Sequence, residues 1–97
     1  MNDKKITQDD MPEGWRLLQP LNLDIERMED NGDYLATHPV LLGYGVGKTR
    51  EESALDFLVS AIETFEDITR YGVKLGPLMV QRRDNLALYF ERVAVTS

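Results

Sequence analysis

The sequence has no cysteine, and histidine and tryptophan occur once each. Without cysteine there is no disulfide to staple the fold and no thiolate to hold zinc or an iron–sulfur cluster. The lone histidine, His38, has no second histidine to share a metal, and no Ser, Thr or carboxylate stands at a spacing that implies a catalytic triad. Long apolar runs are also missing. No window approaches the ~18 apolar residues of a membrane span, and the opening MNDKKITQDDMPEG lacks the hydrophobic centre of a secretion signal. No membrane association is expected, and a cytoplasmic setting is. Basic residues are the minority, eleven against seventeen acidic ones, for a formal charge of -6. That sign opposes binding to a nucleic-acid backbone and favours a basic partner.

What is present fits one small domain. At 97 residues the chain is too short for two independent cores, since a domain takes roughly 100 to 150 residues. Hydrophobic residues at 42% and charged residues at 29% are ordinary for a folded soluble chain. Residues 1–14 are polar and broken by Pro12 and Gly14, so they are expected to form a flexible N-terminal arm ahead of a single domain over 15–97. A domain this small, without staples, is expected to gain stability from a partner or from self-association.

Periodicity predicts an α+β fold. Trp15 to Gln19 reads as a brief edge strand or a segment laid across the core, ended by Pro20. From Leu21 to Met28, apolar Leu21, Leu23 and Ile25 alternate with polar Asn22, Asp24 and Glu26, the pattern of a half-buried strand. Asn31-Gly32 then predicts a hairpin turn. Tyr34 to Thr37 begins a second strand, His38-Pro39 interrupts it, and Val40 to Val46 is predicted as a third, giving a three-stranded antiparallel meander. Thr49 and Glu52 have the spacing of a capping box, so a helix is predicted from about Arg50. Its stripe of Ala54, Leu55, Leu58, Ala61, Ile62, Phe65 and Ile68 should pack on the sheet, and Gly72 should end it. Beyond Gly76-Pro77, Leu78 to Gln81 and Leu86 to Val95 read as a C-terminal strand or hairpin around a turn holding Arg82 and Arg83, with Leu86, Leu88 and Phe90 on one face.

Gly47-Lys48-Thr49 before a helix invites comparison with a phosphate-binding loop. That loop needs four residues between its first glycine and the Gly-Lys-Thr, the length that curls backbone amides around phosphates. Gly43 precedes Gly47 by only three intervening residues, and Leu42 stands where the glycine belongs. The dinucleotide fingerprint fails as well, because Gly43, Gly45 and Gly47 form Gly-x-Gly-x-Gly outside a βαβ frame. The glycines are better explained by close approach of a strand to the helix, and neither a cofactor nor a metal is expected.

Tyr34, Ala36, Pro39, Leu41, Gly43, Gly47, Thr49, Glu52, Ala54 and Leu55 resemble the signature of HicB-like antitoxin domains. In that signature a strand ends in Pro-x-Leu-Pro-Gly and is followed by a glycine, a threonine cap and a Glu-Glu-Ala-Leu helix start. Here Leu42 replaces the second proline, Ser53 stands where alanine is common, and the Gly43 to Gly47 spacing is one residue short. The resemblance covers roughly residues 21–77. It implies a partial ribonuclease H-like β-β-β-α-β fold without catalytic acids, often dimeric, that neutralises a small basic messenger-RNA-cleaving toxin. Pro39, Gly43, Gly47, Thr49 and Glu52 are then turn and cap residues. Many members add a C-terminal DNA-binding module. Nothing after Gly72 reads as one, so direct DNA binding is not expected.

Predicted exposure, independently of the resemblance, selects Asp24, Glu26 and Asp33 on the first hairpin as contacts for a basic partner, with Tyr34 as an anchor. The leading expectation is a noncatalytic, protein-binding domain that forms a homodimer or higher oligomer. The alternatives are an RNA- or DNA-binding or processing domain, and a stand-alone self-associating domain of the same fold.

Overall fold

The alternation that begins at Leu21 builds the strand at the centre of the main sheet. A computed structural model describes residues 3–70 and 76–93. Within it, β3 (Leu21–Arg27) buries Leu21, Leu23 and Ile25 and leaves Asn22, Asp24 and Glu26 exposed. β4 (Tyr34–Thr37) pairs antiparallel with β3, joining Ile25 to Ala36 and Arg27 to Tyr34. The turn between them is closed by a hydrogen bond from the Met28 amide to the Asp33 carbonyl, 2.7 Å, and Gly32 takes the positive φ of 75° that the turn requires. β5 (Gly45–Gly47) then pairs with β4, so the predicted meander is present. Its third strand is shorter than expected. Residues 40–44 run as a loop through Gly43, φ 109°, before pairing begins at Gly45.

The sheet has a fourth strand that the sequence reading placed in a flexible arm. β1 (Asp3–Ile6) adds antiparallel to the outer edge of β3, with Ile6 beside Leu21 and fully buried, giving the order β1-β3-β4-β5. A 3-10 turn over Gln8–Asp10 follows, with Thr7 and Asp10 in a capping box. The Gln8 side chain then donates to the Trp15 carbonyl and accepts from the Leu17 amide. One buried isoleucine and these tethers hold residues 3–10 against the domain, so the expectation of an arm is corrected for them.

α1 (Arg50–Arg70) starts where the capping box predicts and lies on one face of the sheet. Ala54, Phe57, Leu58, Ala61, Ile62 and Ile68 enter the core. Leu55, assigned to the buried stripe from sequence, is exposed, and Phe57 takes its place. The predicted stop at Gly72 lies outside the described residues. α2 (Pro77–Ala87) corrects the C-terminal expectation: a helix stands where the first arm of a hairpin was predicted, and Arg82 and Arg83 lie on it rather than in a turn. Gly76 is its N-cap and Pro77 its first residue, a position where proline's missing N–H costs nothing. Leu86 is the only α2 residue in the core, so the helix carries too little apolar patterning to be read from periodicity. A C-terminal strand does follow. β6 (Phe90–Arg92) pairs antiparallel with β2 (Trp15–Leu17) in a second, two-stranded sheet. Leu86 and Phe90 are buried and Leu88 is exposed, so the three do not share a face.

Candidate interaction surface

Register fixes what the main sheet shows to solvent. Ile6, Leu21, Leu23, Ile25, Ala36 and Gly45 face α1, so their neighbours along each strand face the other way. The second face presents Asp3 and Lys5 from β1, Asn22, Asp24 and Glu26 from β3, Leu35 and Thr37 from β4, and Val46 from β5. Asp24 and Glu26 thus stand two residues apart on the same face, both exposed. Asp3 lies directly opposite Asp24, which puts two like charges side by side. Asp3 was missed from sequence because a four-residue strand carries too little alternation to be seen.

Of the other two candidate contacts, Asp33 lies at the hairpin end of the sheet and Tyr34 is turned away from this face. Asp33 is half-buried in the hairpin turn, where its amide donates to the Asn31 side chain at 2.9 Å. Tyr34 shares the α1 side of β4 with Ala36 and packs against the core. An anchor role for Tyr34 beside Asp24 and Glu26 is therefore not what the fold offers.

At the strand-to-helix junction the glycines are demanded by close approach. A Cβ on Gly45 would stand 2.3 Å from both the Phe57 nitrogen and the Ser53 carbonyl oxygen, and one on Gly47 would stand 2.5 Å from the Glu52 Cβ. Thr49 accepts the Glu52 amide at 3.1 Å, capping α1. The Glu52 carboxylate in turn accepts the Lys48 amide at 2.8 Å, and one helical turn on, Asp56 accepts the Val46 amide at 2.9 Å. Two amides of the loop, those of Val46 and Lys48, are thus engaged by carboxylates, which repel an anion. Lys48 contributes its backbone, and its exposed side chain makes no hydrogen bond or ion pair among the described residues.

His38 follows β4 directly. Its Nδ1 accepts the amides of Val40 and Leu41, both at 3.1 Å, and its ring meets Tyr89 edge-on at 5.2 Å. Burial lowers its pKa below the ordinary 6.5, and the Asp24 carboxylate pulls the other way. The neutral ring therefore holds the turn around exposed Pro39. Among the described residues, no group of three His, Asp or Glu side chains converges as a metal site would need. No described helix is long and apolar enough to cross a membrane.

Comparison with protein-family models, with curated proteins and with solved structures found no match.

Proposed function

We propose that this chain is a noncatalytic protein-binding domain of the antitoxin kind, which holds a small basic RNA-cleaving toxin against the acidic sheet face opposite α1. The observation that carries this reading is the chemistry of that face. Opposite α1, the exposed strand positions are those of β1 and β3, and they include Asp3, Asp24 and Glu26 against the single cation Lys5. Like charges set opposite one another cost stability, and a partner that supplies Lys or Arg relieves that cost. The resemblance of residues 21–77 to HicB-like antitoxins supplies the kind of basic partner. The alternative of nucleic-acid binding fares worse, because the same carboxylates and the overall charge of -6 repel phosphate.

The test is neutralisation. A small basic RNA-cleaving toxin, mixed with an equimolar amount of this protein, should stop cutting RNA. Asp24→Lys with Glu26→Lys should weaken that inhibition at least tenfold, and added salt should slow association. Unchanged cleavage with the wild-type protein would refute the antitoxin reading. A salt-dependent gel shift with RNA that needs Arg82 and Arg83 would instead favour the nucleic-acid alternative.

A further inference from the structure

We propose that this protein binds a small zwitterionic amino acid in the cavity between α1, α2 and the loop over residues 40–44, with Arg82 taking the carboxylate and Asp56 the ammonium. The cavity lies on the α1 side of the sheet, away from Asp24 and Glu26, so its test is independent of the antitoxin reading. Its volume is about 360 Å³, within the range of small-ligand pockets. Phe57 and Ala61, both buried, form its apolar part beside exposed Leu42 and Tyr44. The rest is polar. Asp56, Ser60 and Thr64 follow one another at four-residue spacing along one face of α1, and Arg82 lines the cavity from α2.

The two charges identify the ligand. Asp56 and Arg82 line the same cavity, yet no ion pair joins them, and Arg82 has no hydrogen-bond or ion-pair partner among the described residues. Asp56 is already oriented. Its Oδ2 accepts the Val46 amide at 2.9 Å, which leaves Oδ1 without a donor among the described residues. Arg82 is half-buried, with its Nη2 4.0 Å from where a Cβ on Gly43 would stand. An anion alone would meet the Asp56 carboxylate, a cation alone would meet the Arg82 guanidinium, and a neutral solute would leave both charges unpaired. A molecule that carries both charges satisfies the two sides at once: its ammonium donates to Asp56 and its carboxylate accepts from the guanidinium. The Ser60 and Thr64 hydroxyls, which have no hydrogen-bond partner among the described residues, complete the polar wall around it. A short side chain packs toward Phe57 and Ala61.

The experiment titrates the full chain with alanine, serine, valine and γ-aminobutyrate, the last with its charges farther apart, followed by calorimetry and amide NMR shifts. Each is taken to ~10 mM, which fills about nine-tenths of a site whose dissociation constant is ~1 mM. At least one should bind, with shifts centred on the lining residues. Its N-acetyl and carboxamide derivatives, each lacking one charge, should bind about tenfold more weakly or worse. Arg82→Gln should weaken binding likewise, and so should Asp56→Asn, which keeps an acceptor for the Val46 amide and so preserves the junction. Arg83→Gln, which removes the neighbouring guanidinium paired with Asp84, should bind as the wild type does. Asp24→Lys with Glu26→Lys should also bind normally, which separates this site from the toxin-binding face. Failure of all four compounds to bind overturns the proposal. So does a singly charged derivative that binds as tightly as its parent, or a folded Arg82→Gln or Asp56→Asn variant that binds like the wild type. A loss in Arg83→Gln or in the sheet-face variant equal to that in Arg82→Gln overturns it too, because it reports overall charge and not this cavity.

Discussion

Replacing Gly45 with alanine should be among the most damaging single-methyl additions the chain can receive. The new Cβ would lie 2.3 Å from Phe57 N, 2.3 Å from Ser53 O and 2.8 Å from Phe57 Cα, whereas ordinary contact begins near 3.4 Å. All three are backbone atoms, so no rotamer change relieves the overlap, and β5 must part from α1 by about 1 Å. That separation runs through the packing of Ala36, Ala54 and Phe57, which are each 1% exposed or less. Overpacking a core costs about 1 to 3 kcal/mol, and with rigid neighbours on both sides the upper end, about 3 kcal/mol, is expected. Against a total stability of roughly 5 to 15 kcal/mol this is a large fraction. Urea titration followed by circular dichroism measures it. With a slope of roughly 1 to 3 kcal/mol per molar, the midpoint should fall by at least ~1 M. Gly76→Ala is the control: its Cβ meets nothing within 4 Å and its φ is -68°, so its midpoint should move by less than ~0.5 M. Equal midpoints for wild type and Gly45→Ala would refute the steric reasoning.

Three further outcomes are expected. Thr49→Ala should destabilise by about 1 kcal/mol, because the Glu52 amide loses its cap, while Lys48→Ala should change stability by less than about 0.5 kcal/mol; denaturant melts that reverse the ranking would reopen the phosphate reading. His38 should make stability pH-dependent. Its folded pKa is lowered, so between about 6.5 and the folded value the unfolded chain binds more protons; the stabilising contribution is full above ~6.5 and is lost as pH falls through the folded pKa. His38→Ala should flatten that part of the profile and cost about 1 to 2 kcal/mol at neutral pH, since the Val40 and Leu41 amides lose their acceptor. Asp24→Lys should leave stability unchanged or raise it by up to about 1 kcal/mol by replacing a like charge opposite Asp3 with an opposite one; a clear loss of stability in thermal melts would contradict the charge argument.

The parts of the fold that were legible in the sequence are those with strong local signals. The alternation from Leu21, the Asn31-Gly32 turn and the Thr49 to Glu52 spacing each commit the backbone over a few residues, and the structure follows them in β3, its hairpin and α1. The misread parts are those where tertiary contact decides. β1 rests on Ile6 docking beside Leu21, and α2 rests on Leu86 alone, so neither shows a period. Leu55 and Phe57 exchange roles because β5 crosses closely over Ser53 and Phe57, and no helical wheel encodes that crossing. For the candidate surface, Asp24 and Glu26 were visible as the polar half of an alternation. Asp3 depended on the unseen β1, and Tyr34 looked exposed only because the identity of the inward-facing β4 residues needs the register with β3.

The two carboxylates along β5 have a consequence for the open edge of the sheet. An open strand edge recruits further strands by backbone hydrogen bonding, a contact that repeats without limit and ends in fibrous aggregate. On β5 the Val46 amide is already bonded to Asp56, and the Lys48 amide just beyond the strand is bonded to Glu52. A neighbour arriving at this edge therefore finds side chains to pack against and no free amide ladder to extend. The chain thus shields this edge with the first turns of its own α1, with no neighbouring strand or loop needed to cover it.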